Sequence, residues 1–83
     1  MNYTPLRPKV IQYLLRHNLT KKFEKQIQLL LENPRHPSLH TELLEPHELG
    51  IRSFRINKSY RTLFIYDSEN GNIKIVAITK HYQ

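Results

Sequence analysis

The chain has 83 residues, enough for one small domain with a single modest core and too few to house a large cofactor pocket beside it. Apolar residues make up 39% and charged residues 24%, proportions of a folded globular protein, and the absence of cysteine excludes a disulfide framework and a thiolate metal site. Lys and Arg total 13 against 7 Asp and Glu, a net charge of +6, so the expected partners are polyanions or acidic proteins. No apolar run suits a membrane span, and the N-terminus lacks the apolar core of a leader; the expectations are no membrane and a cytoplasmic location.

Residues 2–6 allow a short strand, confined to a sheet edge by Pro5. Val10, Ile11, Leu14 and Leu15 recur at helical spacing, which predicts a first helix over 8–18, opened by Pro8 and stopped at Asn18. A second helix is predicted over 21–32, with Thr20 as its N-cap and Phe23, Ile27, Leu30 and Leu31 as its apolar stripe; Lys22, Glu24, Lys25 and Gln28 face water. The connection is tight, so the helices form an antiparallel hairpin. Asn33-Pro34 ends the second helix, and the prolines and glycine of 34–50 read as loop, with a turn of helix or a short strand around 41–44.

Three strands follow, over 51–57, 60–67 and 72–79. Asn57-Lys58-Ser59 is a tight turn, and Asn70-Gly71 signals a hairpin between the last two strands. In the middle strand Tyr60, Thr62, Phe64 and Tyr66 share one face, and Arg61, Leu63 and Ile65 the other. Which face meets the helices is open. The predicted fold class is α+β: one domain spanning 1–83, an N-terminal helical hairpin on one face of a small antiparallel sheet of three to four strands.

Several residues in this frame bear chemistry. Arg61 opens a strand among apolar neighbours, and a guanidinium so fixed can grip a phosphate with paired hydrogen bonds; the alternative is an edge arginine paired with Asp67 or Glu69. His81 and Tyr82 follow the last strand. An imidazole there can move a proton in phosphodiester cleavage and a tyrosine can stack on a base; otherwise they are a tail without a role. Glu42 can accept a proton from a ribose hydroxyl or be a solvated loop acid. Arg52 and Arg55, on opposite faces of their strand, join Lys58, Arg61 and Lys80 in a basic sheet surface suited to phosphate contacts. His36, His40 and His47 invite a metal, but Pro37 disrupts the helical spacing of the first two and no cysteine or paired acid completes a ligand set, so neither metal nor other cofactor is expected. His17 suits the negative end of the first helix.

The stretch Leu-Leu-Glu-Asn-Pro-Arg-His-Pro-Ser-Leu (30–39) and the hairpin Gly-Ile-Arg-Ser-Phe-Arg-Ile-Asn-Lys-Ser-Tyr-Arg-Thr-Leu-Phe-Ile-Tyr (50–66) resemble the RelE/ParE superfamily of bacterial toxins. The likeness runs from Thr20 to the C-terminus, and the His-Tyr ending is closest to the YoeB branch. The resemblance implies a RelE-like fold and a type II toxin that cuts mRNA in the ribosomal A site without a metal. It implies Glu42 as general base, Arg61 as the clamp on the phosphorane, His81 as the acid at the leaving 5′-oxygen and Tyr82 as a positioning group. It implies a cognate antitoxin, mRNA and the ribosome as partners. ParE-like members share the fold and act on a topoisomerase instead, without this acid–arginine–histidine set. The chain departs from the branch in its shortened first strand, its longer last turn and the extra Gln83.

Overall fold

Pro8 opens helix α1 (Pro8–Arg16) and Asn18 closes it in the computed structural model, which describes residues 2–80. Asn18 adopts a left-handed conformation (φ 59°), with its N–H on the Leu15 carbonyl and that of Leu19 on the Leu14 carbonyl. This pair of bonds is a Schellman stop, whose usual hydrophobic contact is supplied by the buried Leu14 and Leu19. The link is so short that Leu19 becomes the N-cap of helix α2 (Thr20–Glu32). Thr20 therefore lies inside the helix rather than capping it, and Leu19 offers no side-chain cap. Burying Leu19 takes precedence over the capping bond that Thr20 promised.

Only half of the apolar stripe of α1 is used. Val10 and Leu14 are buried, whereas Ile11 is 44% and Leu15 65% exposed. In α2, Phe23, Ile27 and Leu30 are buried with Gln26 beside them. The Gln26 amide donates to the backbone carbonyls of Ser38 (3.2 Å) and Arg55 (2.8 Å). It thus fastens the helix to a 3₁₀ turn (Pro37–Leu39) and to the sheet.

The sheet has five strands in the order β1-β5-β4-β3-β2: β1 (Asn2–Tyr3), β2 (Glu42–Leu43), β3 (Arg52–Arg55), β4 (Tyr60–Asp67) and β5 (Asn72–Lys80). The expected α+β layout holds, but the strand count is higher, and the sheet is mixed because β1 runs parallel to β5. β1 is held by the pairs Asn2–Asn72 and Tyr3–Ile73 and by the Thr4 N–H on the Ile73 carbonyl. Pro5, which has no N–H to donate, follows directly.

β3 is shorter than expected because the Asn57 side chain intervenes. Its Oδ1 accepts from the N–H groups of Ser59 (2.8 Å) and Tyr60 (3.0 Å) and turns the chain. The β4–β5 hairpin forms where Asn70-Gly71 signals it. Its loop is four residues long, however, with only Gly71 at positive φ, and Asp67 orders it by accepting from the N–H groups of Glu69 and Asn70 and from the Asn70 amide.

Register settles the two faces. Phe54 lies opposite Thr62, and Phe64 opposite Ile75. These residues and Ile73 and Ile78 meet the helices in one core, where Phe54 stands between Phe23 (ring centroids 6.1 Å apart) and Phe64 (5.7 Å). Each such ring fully withdrawn from water contributes about 1.5–3 kcal/mol. Ser53, Arg55, Arg61 and Leu63 therefore look away from the helices.

Candidate functional site

The site begins with the β3–β4 hairpin. Its turn fixes Arg55 directly opposite Arg61 and Ser53 opposite Leu63. β2 then adds Glu42 opposite Ser53. Because paired residues share a face, Glu42, Ser53, Arg55 and Arg61 come together on the side of the sheet away from the helices.

Arg61 is 6% exposed. Its Nε donates to Ser53 Oγ at 3.0 Å, and one Nη donates to the His40 carbonyl. Asp67 and Glu69, the alternative partners considered from sequence, have no part in this; Asp67 orders its own turn instead. Two of the five N–H groups are thereby used to hold the plane of the guanidinium. Burial pushes the Arg61 pKa below its ordinary value, the Glu42 carboxylate pulls it back up, and Arg55 pushes it down. Two arginines face to face across a ladder destabilise the sheet unless an anion lies between them. Glu42 itself is exposed on its two-residue strand, free of the core.

The other expected basic groups divide. Arg52, opposite Phe64, lies on the helix side of the sheet, with its guanidinium 5.2 Å from the centre of the Tyr66 ring. Lys80, opposite Tyr60, lies on that side too. Lys58 is exposed in the turn. With Arg55, Lys22 and Lys25 it lines a depression of ≈ 430 Å³ beside the arginine pair. Lys22 and Lys25 were legible only as solvent-facing helix positions; their part in a cationic hollow depends on where α2 meets the β3–β4 turn. Ser53 and the His40 carbonyl, the supports of Arg61, were also missed. The hairpin register, countable from the Asn57 turn, is the signal that would have found Ser53.

His81 and Tyr82 lie outside the described residues. Thr79, two positions before His81 in the chain, is the ladder partner of Arg61. Among the described residues no three His, Cys, Asp or Glu side chains converge as a metal-ligand set, and no helix is long and apolar enough to cross a membrane.

Two helices on this mixed sheet give the fold of the RelE/ParE toxin superfamily. Within it the likeness runs to YoeB proteins. A YoeB/ParE toxin from Agrobacterium tumefaciens superposes with a TM-score of 0.72 at 17% identity, over 96% of this chain and 95% of that one. A heterotetrameric YoeB–YefM toxin–antitoxin complex from Staphylococcus aureus gives 0.69 at 23% identity, covering 98% and 94%. A further YoeB–YefM complex from that organism gives 0.58 at 28% identity, covering 99% and 97%. No family model matches the sequence, and no curated protein does either.

Proposed function

We propose that this chain is the toxin of a type II toxin–antitoxin system and acts as a ribosome-dependent endonuclease on mRNA. The observation that carries the reading is the buried, hydrogen-bonded Arg61 facing Arg55 on the sheet surface that also bears Glu42. That surface is cationic, and its facing arginines suit a phosphate. The fold shared with YoeB proteins supports the same reading, and the YoeB–YefM complexes support an antitoxin as partner of this chain.

Glu42 takes the proton of a ribose 2′-hydroxyl. The 2′-oxygen attacks the adjacent phosphorus, and charge gathers on the equatorial oxygens. Arg61 meets that charge with N–H groups already held in place, which is where a fixed donor has most effect. His81 gives a proton to the departing 5′-oxygen while Tyr82 holds the substrate. The products are a 2′,3′-cyclic phosphate and a 5′-hydroxyl. Arg55 and Lys58 contact flanking phosphates, whereas Arg52 and Lys80, on the other face of the sheet, take no part in those contacts. No residue in this scheme needs a metal, and the reaction belongs in the cytoplasm with the ribosome.

The test is cleavage of mRNA on programmed ribosomes by the purified protein, with Arg61→Ala and His81→Ala beside it. Loss of cutting by about a hundredfold or more in each, with folding retained, is the expected result. Undiminished cutting would remove the site assignment. One observation favours a second reading: a guanidinium tied to Ser53 and His40 also serves as a structural prop. On that reading the chain is a ParE-like or degenerate toxin that acts by binding protein, and no variant or wild type cuts mRNA.

A further inference from the structure

Arg52 is a cation that the phosphate contacts leave over. It stands across the β2–β3 ladder from Leu43, half-buried, with its guanidinium 5.2 Å from the centre of the Tyr66 ring. Its side-chain N–H groups have no hydrogen-bond acceptor and no carboxylate partner among the described residues. Tyr66 is 39% exposed, and the buried Phe64 meets its ring edge to face with centroids 5.5 Å apart. Arg52, Phe64 and Tyr66 line a cleft of ≈ 100 Å³ whose walls also include Thr41, Glu42 and Leu43. Glu42 is the carboxylate that the proposed reaction sets against a ribose. A ribose held there has its own base within reach of the cleft.

Two ligands suit an unpaired guanidinium: a phosphate and the edge of a base. A phosphate in this cleft would face the Glu42 carboxylate, and like charges set together are costly. The edge of a base is neutral and carries no such penalty. A guanidinium resting on an aromatic ring keeps its plane while its N–H fork stays open to paired acceptors. Of the two purines, guanine offers such a pair, O6 and N7, on its Hoogsteen edge; adenine sets an amino donor beside N7. The small volume of the cleft suits the edge of a purine rather than the whole ring system. We propose that Arg52, propped by Tyr66, is a specificity-determining residue that reads guanine in the nucleotide whose 2′-hydroxyl faces Glu42. The proposal rests on the endonuclease reading in placing that nucleotide immediately upstream of the cut.

The experiment titrates isotope-labelled full-length protein with trinucleotides whose central sugar is 2′-deoxy and so cannot be cut: UGU, UIU with inosine, UAU, UCU, and UGU carrying 7-deazaguanine. UGU and UIU share O6 and N7. They should bind equally, about tenfold or more tighter than UAU, UCU or the 7-deaza form, and shift the side-chain N–H resonances of Arg52. Arg52→Ala should level the series. Arg52→Gln should turn the preference toward UAU, because a glutamine amide matches adenine N6 and N7, and a misfolded variant cannot gain a preference. No binding, equal binding of all the bases, or a guanine preference that survives Arg52→Ala overturns the proposal. None of these trinucleotides is cleaved, so a failed nuclease assay and a failed base reading are told apart.

Discussion

Arg61 combines two demands that usually conflict. A guanidinium that acts on an anion must be available, yet this one is buried and tethered to Ser53 and His40. The tether spends two N–H groups on orientation and leaves the rest of the fork to a ligand. Lysine cannot reproduce the fork. Arg61→Lys should therefore abolish cleavage and leave Ser53 Oγ and the His40 carbonyl poorly satisfied, lowering stability by about 1–3 kcal/mol in urea denaturation. Thr62, its neighbour on the other face, presents the opposite case. It is fully buried, and its hydroxyl finds no hydrogen-bond partner among the described residues. Thr62→Val keeps the shape and removes the orphan, and should raise the urea midpoint by the equivalent of about 1 kcal/mol. A lower midpoint would mean that the hydroxyl is satisfied in solution.

The elements are held by a few polar devices that hydrophobic pattern does not reveal. Gln26 links α2 to the 3₁₀ turn and to β3 through two carbonyls. Gln26→Ala should cost about 1–3 kcal/mol, read by the same denaturation, because both carbonyls lose a buried donor. The β4–β5 loop carries a pH dependence. The Asn70 side chain and backbone hold the Asp67 carboxyl below its ordinary value. Its folded pKa is thus lower than its unfolded one, near 3.9. The stability it lends is complete above the unfolded value and is lost as pH falls through the folded one. Asp67→Asn should flatten this part of the stability profile below about pH 4 and leave neutral stability to the remaining turn bonds.

Periodicity made the long elements legible. Both helices, the two long strands and their hairpin could be read from spacing, caps and turn residues. The shorter pieces could not. β1 and β2 are two residues each, too short for alternation to register, and the parallel pairing of β1 depends on where α1 returns the chain. Thr20 misled because a local capping preference yielded to the burial of Leu19. At the site, Arg61 and Glu42 were nameable from sequence. Their shared face was not, because it requires the β2–β3 pairing. The split of Arg52 and Lys80 from Arg55 also follows from register alone.

For the whole molecule, charge and topology act together. A net +6 spread evenly would favour any polyanion. Instead the helices cover one face of the sheet, and the opposite face carries Arg55, Arg61 and Glu42 beside the lysine-lined hollow.

The most direct measurement is the chemical identity of the upstream 3′ end left on ribosome-bound mRNA, with a matched message carrying a 2′-deoxynucleotide at the cut. A 2′,3′-cyclic phosphate on the natural message, and no cut at the deoxy position, is the expected result. A 3′-hydroxyl end, or cleavage that persists at the deoxynucleotide, would contradict attack by the 2′-oxygen and with it the roles given to Glu42 and Arg61.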